Sequence, residues 1–157
     1  MKRRTFVKSA AASGAGLLIF PGSIRAAKGI QDKLNIALIG AHGRGSQHYR
    51  SLESENVVAI CDVHAGNMAL AAAQYPGAKQ YTDWRKCLDQ KDLDAVMICT
   101  PDHHHAFISI WAMNRGLHVY CEKPLGECVS EAREVRKVYL ANKNKLADGL
   151  IAKIAGL

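Results

Sequence analysis

Three short apolar runs, at residues 34–39, 57–61 and 95–99, constrain this chain more than any other feature. Past Asn35 they show no polar–apolar alternation, so a strand made from any of them has no face fit for water. Each run gives way to Gly40, Asp62 or Thr100 and is followed by a stretch of helical length. Residues 43–52 read as a helix, Ala65–Gln74 as an alanine-rich helix stopped by Pro76-Gly77, and residues 103–115 as a third, with Gly116 at its C-cap position. A strand at Lys79–Tyr81, a small helix at Trp84–Leu88, a strand at residues 117–121 and a helix over Val129–Asn142 complete the pattern. The last of these puts Ala132, Val135, Val138 and Tyr139 on one face. Doubly buried strands alternating with helices predict an α/β fold with a doubly wound parallel sheet.

The 157 residues carry 21 Lys+Arg against 14 Asp+Glu, a net charge of +7 that would suit a nucleic-acid-binding protein. The distribution of the charge excludes that class. Residues 1–26 hold Lys2, Arg3, Arg4, Lys8 and Arg25 and no acid, which leaves 16 basic against 14 acidic residues, or +2, for the rest. Ser9 to Ile24 is an uncharged stretch interrupted by Ser13, Gly14, Gly16 and Pro21. Its 16 residues fall short of the roughly 20 that span a bilayer. Ile24-Arg25-Ala26 then ends on a small residue, as a signal-peptidase site does. Arg3-Arg4-Thr5-Phe6-Val7-Lys8 resembles the twin-arginine export signal, R-R-x-F-L/V-K. That resemblance implies a signal peptide at 1–26, the twin-arginine translocase as a partner, and a periplasmic or otherwise exported destination. The pathway carries folded proteins, so a cofactor can cross with its protein. The cysteines (Cys61, Cys87, Cys99, Cys121 and Cys128) are odd in number and form no C-x-x-C pair. They predict buried thiols rather than a disulfide framework or a metal site.

The first strand–turn–helix is where such a fold holds a dinucleotide. Its turn reads Gly40-Ala41-His42-Gly43-Arg44-Gly45, against a usual G-x-G-x-x-G. Gly40 and Gly45 match, whereas His42 stands where the second glycine lets the backbone approach the pyrophosphate. Either the His42 side chain points away or Gly43 supplies the close approach. Asp62 ends the next strand, 22 residues after Gly40, where an acid hydrogen-bonds the adenine ribose and repels a 2′-phosphate. The cofactor expected is therefore NAD, with NADP second because Arg44 could meet a phosphate. The plainer reading of Asp62 is a helix N-cap before Ala65.

Two later turns carry chemistry. Thr100-Pro101-Asp102 precedes three consecutive histidines, His103, His104 and His105. Neighbours on a helix point about 100° apart, so the three cannot face one ion, and no metal is expected. A turn bordering the nicotinamide pocket fits better. Cys121-Glu122-Lys123-Pro124-Leu125 follows the next strand, at the edge where open α/β sheets bind ligands. There Lys123, as a partly desolvated ammonium, could bind a substrate hydroxyl and aid its proton transfer, with Glu122 as its orienting partner. A surface salt bridge in a loop is the bland alternative.

Thr-Pro-Asp-His-His-His-Ala at 100–106 and Gly-Leu-His-Val-Tyr-Cys-Glu-Lys-Pro-Leu at 116–125 resemble the Gfo/Idh/MocA family of nicotinamide-dependent oxidoreductases. That family writes these stretches T-P-x-x-x-H-A and A-G-K-H-V-x-x-E-K-P-L, and its first turn as G-x-G-x-x-G or G-V-G-G-R-G. The resemblance covers about residues 33–143 and implies a Rossmann-type NAD(P)-binding domain. Carried over by position, it implies that Gly40, Gly43, Arg44 and Gly45 line the pyrophosphate, with His42 the exception. It further implies that Asp62 meets the ribose, that Thr100, Pro101 and His105 border the nicotinamide, and that Glu122 and Lys123 hold cofactor and substrate.

Family members are much longer than this chain. Their C-terminal α+β domain supplies most substrate contacts, an acid/base group and the homo-oligomer surface. Another strand is expected after residue 142, yet the tail at 144–157 does not match the family, which predicts truncation before that domain. The resemblance thus implies the cofactor domain of an exported oxidoreductase acting on the CH–OH group of a sugar or polyol. The alternatives are an NAD-dependent glycosidase of the same family and a non-catalytic NAD-binding module.

Overall fold

The computed structural model describes residues 33–144 and the backbone of residues 152–154. The export segment at 1–26 and most of the tail lie outside the described residues. Six parallel strands form one sheet: β1 (Asn35–Ile39), β2 (Asn56–Cys61), β3 (Lys79–Tyr81), β4 (Ala95–Ile98), β5 (His118–Cys121) and β6 (Ala152–Ile154), in the order β3-β2-β1-β4-β5-β6. Among the described residues four α-helices cover it: α1 (Ala65–Gln74), α2 (Trp84–Leu88), α3 (His105–Asn114) and α4 (Val129–Asn142). β6 pairs with β5 from within the tail that the sequence left unmatched, so a strand does follow α4.

Alternate residues of β1 and β4 enter opposite cores, which is why these apolar runs are continuous, whereas in β2 a register shift puts Val58 and Ala59 on the same core. On one face Ala37, Ile39, Val96 and Ile98 pack with Ile108 and Met113 of α3 and Val135 of α4. On the other, Ile36, Leu38, Ile60 and Met97 pack with Leu52 and with Met68 and Ala71 of α1. Both faces are dry, as doubly wound sheets require. Cys61, Cys87, Cys99 and Cys121 are buried free thiols, while Cys128 is exposed at the start of α4. Burial pushes Cys99 up to about 12 and Cys121 to about 11, so neither is a ready nucleophile.

Two segments differ from expectation. Residues 43–52 form not an α-helix but two 3-10 turns, Gly45–His48 and Arg50–Leu52. The bonds run three residues back, as in Gln47 N–H to the Arg44 carbonyl (3.2 Å) and Leu52 N–H to the Tyr49 carbonyl (3.1 Å). Hydroxyls of Ser46 and Ser51 occupy the Gly43 and His48 carbonyls at 2.8 Å, competing with the α-helical pattern. Residues 102–104 are likewise a 3-10 turn, and α3 begins only at His105. Its end is as the sequence reads: Gly116 adopts φ +74°, and Gly116 and Leu117 N–H groups return to the Met113 and Ala112 carbonyls. No described helix is long and apolar enough to cross a membrane.

Ile98 is fully buried in β4, between β1 and β5. Ile98→Ala is expected to destabilise the chain by about 3 kcal/mol, read as a lower urea midpoint with an unchanged slope.

Candidate functional site

Parallel register brings the ends of the central strands level. Ile39 pairs with both Cys61 and Ile98, and Ile98 with Cys121, so Gly40, Asp62, Cys99 and Glu122 emerge at one edge. The ladder continues past the strands through Gly40 N–H to Cys61 O (2.9 Å), Cys99 N–H to Ile39 O (2.8 Å) and Glu122 N–H to Ile98 O (2.9 Å). Between β1 and β4 the chain leaves toward opposite faces, and the crevice that opens there is where such sheets take ligands.

The glycine turn is built for close approach. At Gly40 (φ +79°) a Cβ would stand 2.6 Å from the Cys99 carbonyl, so the turn lies directly on the end of β4. At Gly43 (φ +62°) a Cβ would meet nothing within 4 Å, so the space over the turn is open there. Gly43 is exposed there, while His42 is half-buried. The Nδ1 of His42 and the Oγ1 of Thr100 are buried without a hydrogen-bond partner among the described residues. That open space, with two orphaned polar atoms in the flanking turns, suits a polar ligand, so the residues present fit a dinucleotide.

Asp62 ties the turn to the second half of the crevice. Its Oδ2 accepts the Ala41 N–H at 3.1 Å and its Oδ1 the His64 N–H at 2.9 Å. His64, not Asp62, caps α1, its Nδ1 accepting the Asn67 N–H at 3.2 Å. The plain helix-cap reading of Asp62 is therefore replaced by a bridge between the glycine turn and the segment leading into α1.

Glu122 and Lys123 are not partners. Glu122 is only 3% exposed, and its carboxylate faces the segment after β1: His48 Nε2 donates to Oε1 at 2.6 Å and Arg44 Nε pairs with Oε2 at 3.1 Å. Burial works to raise its pKa, but the hydrogen bonds from His48 and Arg44 outweigh it, and the carboxyl is held below the ordinary 4.5. Lys123 is exposed, followed by a cis Lys123–Pro124 peptide. The side chain of Glu122, expected to orient Lys123, is committed instead to His48 and Arg44. Arg44, expected at the pyrophosphate, spends its Nε on Glu122 and an Nη1 on Gln47.

The three histidines split: the His103 and His104 rings lie together with centroids 4.2 Å apart, and only His105 is buried. His105 points inward, 2% exposed, with Nδ1 2.6 Å from the Pro124 carbonyl and Nε2 2.7 Å from the Thr100 carbonyl. Carbonyls only accept, so each contact is made by a ring N–H. His105 therefore joins the two turns through the Pro124 and Thr100 carbonyls. Burial lowers the His104 pKa, assisted by His103 and His105. Asp102, His103 and Glu127 gather at the surface with ligand atoms within 4.8 Å of one another, all three exposed. His48 is the site residue that sequence reasoning missed; its one signal is a histidine three places after Gly45, and its partner lies 74 residues away.

The model of an oxidoreductase family with an NAD-binding Rossmann fold, GFO_IDH_MocA, matches residues 34–149. The inositol 2-dehydrogenase of Salmonella typhimurium is 30% identical over 118 residues, 72% of this chain and 35% of its own length. A glycosyl hydrolase family 109 protein of Stenotrophomonas maltophilia is 33% identical over 155 residues, 90% of this chain and 34% of its own. The crystal structure of myo-inositol 2-dehydrogenase from Lactobacillus plantarum superposes with a TM-score of 0.71 at 30% identity, covering 79% of this chain and 36% of that one. The chain spans about a third of the length of these relatives.

A carboxyl whose pKa is depressed on folding adds stability above its ordinary 4.5 and loses it as pH falls through the lower folded value. Urea midpoints measured from about pH 6 down to about pH 3 are expected to fall for the native chain across that window. The decline should be shallower in Glu122→Gln.

Proposed function

The chain belongs to the Gfo/Idh/MocA oxidoreductase family through its NAD-binding Rossmann fold, and from that premise we propose that it is the cofactor domain of an exported dehydrogenase acting on the CH–OH group of a sugar or polyol. The observation that carries this reading is the shared edge of β1, β2, β4 and β5, with an open glycine turn at Gly43, a carboxylate at Asp62 and a lysine at Lys123. The inositol dehydrogenases among its relatives support a polyol as substrate.

Gly43 leaves room for a pyrophosphate over the turn, while Gly40 and Gly45 let the turn pack on itself and on the Cys99 backbone. The carboxylate of Asp62, half-buried at the end of β2, accepts the adenine ribose hydroxyls and repels a 2′-phosphate, which favours NAD over NADP. Bound NAD supplies the hydride acceptor. Lys123 binds the substrate hydroxyl and exchanges a proton at Nζ, and Thr100 offers its orphaned hydroxyl to the nicotinamide side. In the second reading, the same domain serves an NAD-dependent glycosidase with no net redox change; it is favoured by the family 109 protein, whose match covers 90% of this chain. Net NADH formation from a free polyol separates the two.

Titration of the chain with NADH should give saturable fluorescence enhancement, and no binding at millimolar cofactor would overturn the reading. Asp62→Ala should weaken NADH about tenfold and NADPH far less, the asymmetry of a lost ribose hydrogen bond. For export, supported by Arg3-Arg4 and Phe6 ahead of an uncharged stretch, Arg3→Lys with Arg4→Lys should keep a reporter fused after residue 26 in the cytoplasm. Unchanged export would remove the twin-arginine assignment.

A further inference from the structure

The Arg44–Glu122–His48 cluster does more than neutralise a charge. Arg44 and His48 belong to the segment that leaves β1, and Glu122 to the turn that leaves β5, with β4 lying between those strands. The contact therefore crosses two strand spacings, roughly 10 Å, over the end of β4. Gly40 makes that crossing short by laying the turn on the Cys99 backbone.

The three members differ in stiffness. The Arg44 side chain is 51% exposed and divides its guanidinium between Glu122 and Gln47. His48 is the fixed donor: its side chain is 16% exposed, its ring meets the Tyr120 ring edge-on at 5.6 Å, and its carbonyl is held by Ser51. Glu122 is fixed at its backbone by the Ile98 carbonyl, so its carboxylate has little choice of direction. A carboxylate this buried is costly unless paired and hydrogen-bonded, and losing one donor leaves it in search of another place. Lys123, the next residue, would move with it.

We propose that His48 is a positioning residue of the cofactor site, which acts through Glu122 to lock the Glu-Lys-Pro turn to the glycine turn and so sets the floor for the nicotinamide half of the dinucleotide. This rests on the reading of the crevice as an NAD site. The adenosine half belongs to Asp62 at the end of β2, on the far side of β1, where this lock does not reach.

The test compares NADH with AMP on the whole chain, with melting temperature followed in parallel. His48→Ala should weaken NADH about tenfold, as expected for loss of one charge-assisted hydrogen bond, and leave AMP within about twofold. His48→Gln, which keeps an N–H donor, should restore most of the NADH affinity. Adding Glu122→Gln to His48→Ala should cost less than it does in the native background, because the two residues act as one unit. If His48→Ala does not fold, Glu122→Gln carries the same NADH-against-AMP comparison. NADH affinity that is unchanged in His48→Ala or Glu122→Gln, or that falls in step with AMP and melting temperature, overturns the positioning role. A native chain that binds AMP and NADH at neither site overturns the cofactor reading itself.

Discussion

The register of β1 between β2 and β4 governs everything at the ligand edge. Because Ile39 pairs with Cys61 on one side and Ile98 on the other, the residues that follow these strands stand level, and β5 extends the line to Glu122. A slip of one residue in β1 would send Leu38 and Ile39 into the wrong cores and raise the glycine turn off Cys99. Burial on both faces forbids that slip. The dryness of the sheet is thus what positions polar groups it does not itself contain.

Upon that edge, three turns are joined by side chains instead of by the ladder. Asp62 holds the glycine turn to the start of α1, Glu122 is held from the glycine side by Arg44 and His48, and His105 joins the Thr-Pro and Lys-Pro turns. Each link is a charged or imidazole group on a backbone or oppositely charged partner, the class of hydrogen bond with most directional strength. The surface left for a ligand is the open space at Gly43 and the exposed lysine at 123, both on turns held by these links.

The elements were legible because their signals are local. Continuous apolar runs marked β1, β2 and β4, Pro76-Gly77 stopped α1, and Gly116 ended α3 with the two bonds its position requires. Residues 43–52 misled because their composition suits a helix, whereas Ser46 and Ser51 divert carbonyls into a tighter winding. β6 was not legible: Ala152–Ile154 is three residues long and distinguished by pairing with β5, not by any pattern of its own.

For the site, sequence alone determined which residue types stand at the ends of which strands, since periodicity and turn chemistry act over a few neighbours. It determined the glycine turn, the acid after β2 and the Glu-Lys-Pro turn after β5. Tertiary structure alone decided how their side chains pair. Glu122 turned from its neighbour Lys123 to His48, 74 residues distant, and His105 turned inward to two carbonyls. Those choices follow from strand order, which places β4 between β1 and β5 and brings distant turns within reach of a hydrogen bond. No local pattern encodes that order, because it is set by how helices on both faces close the sheet.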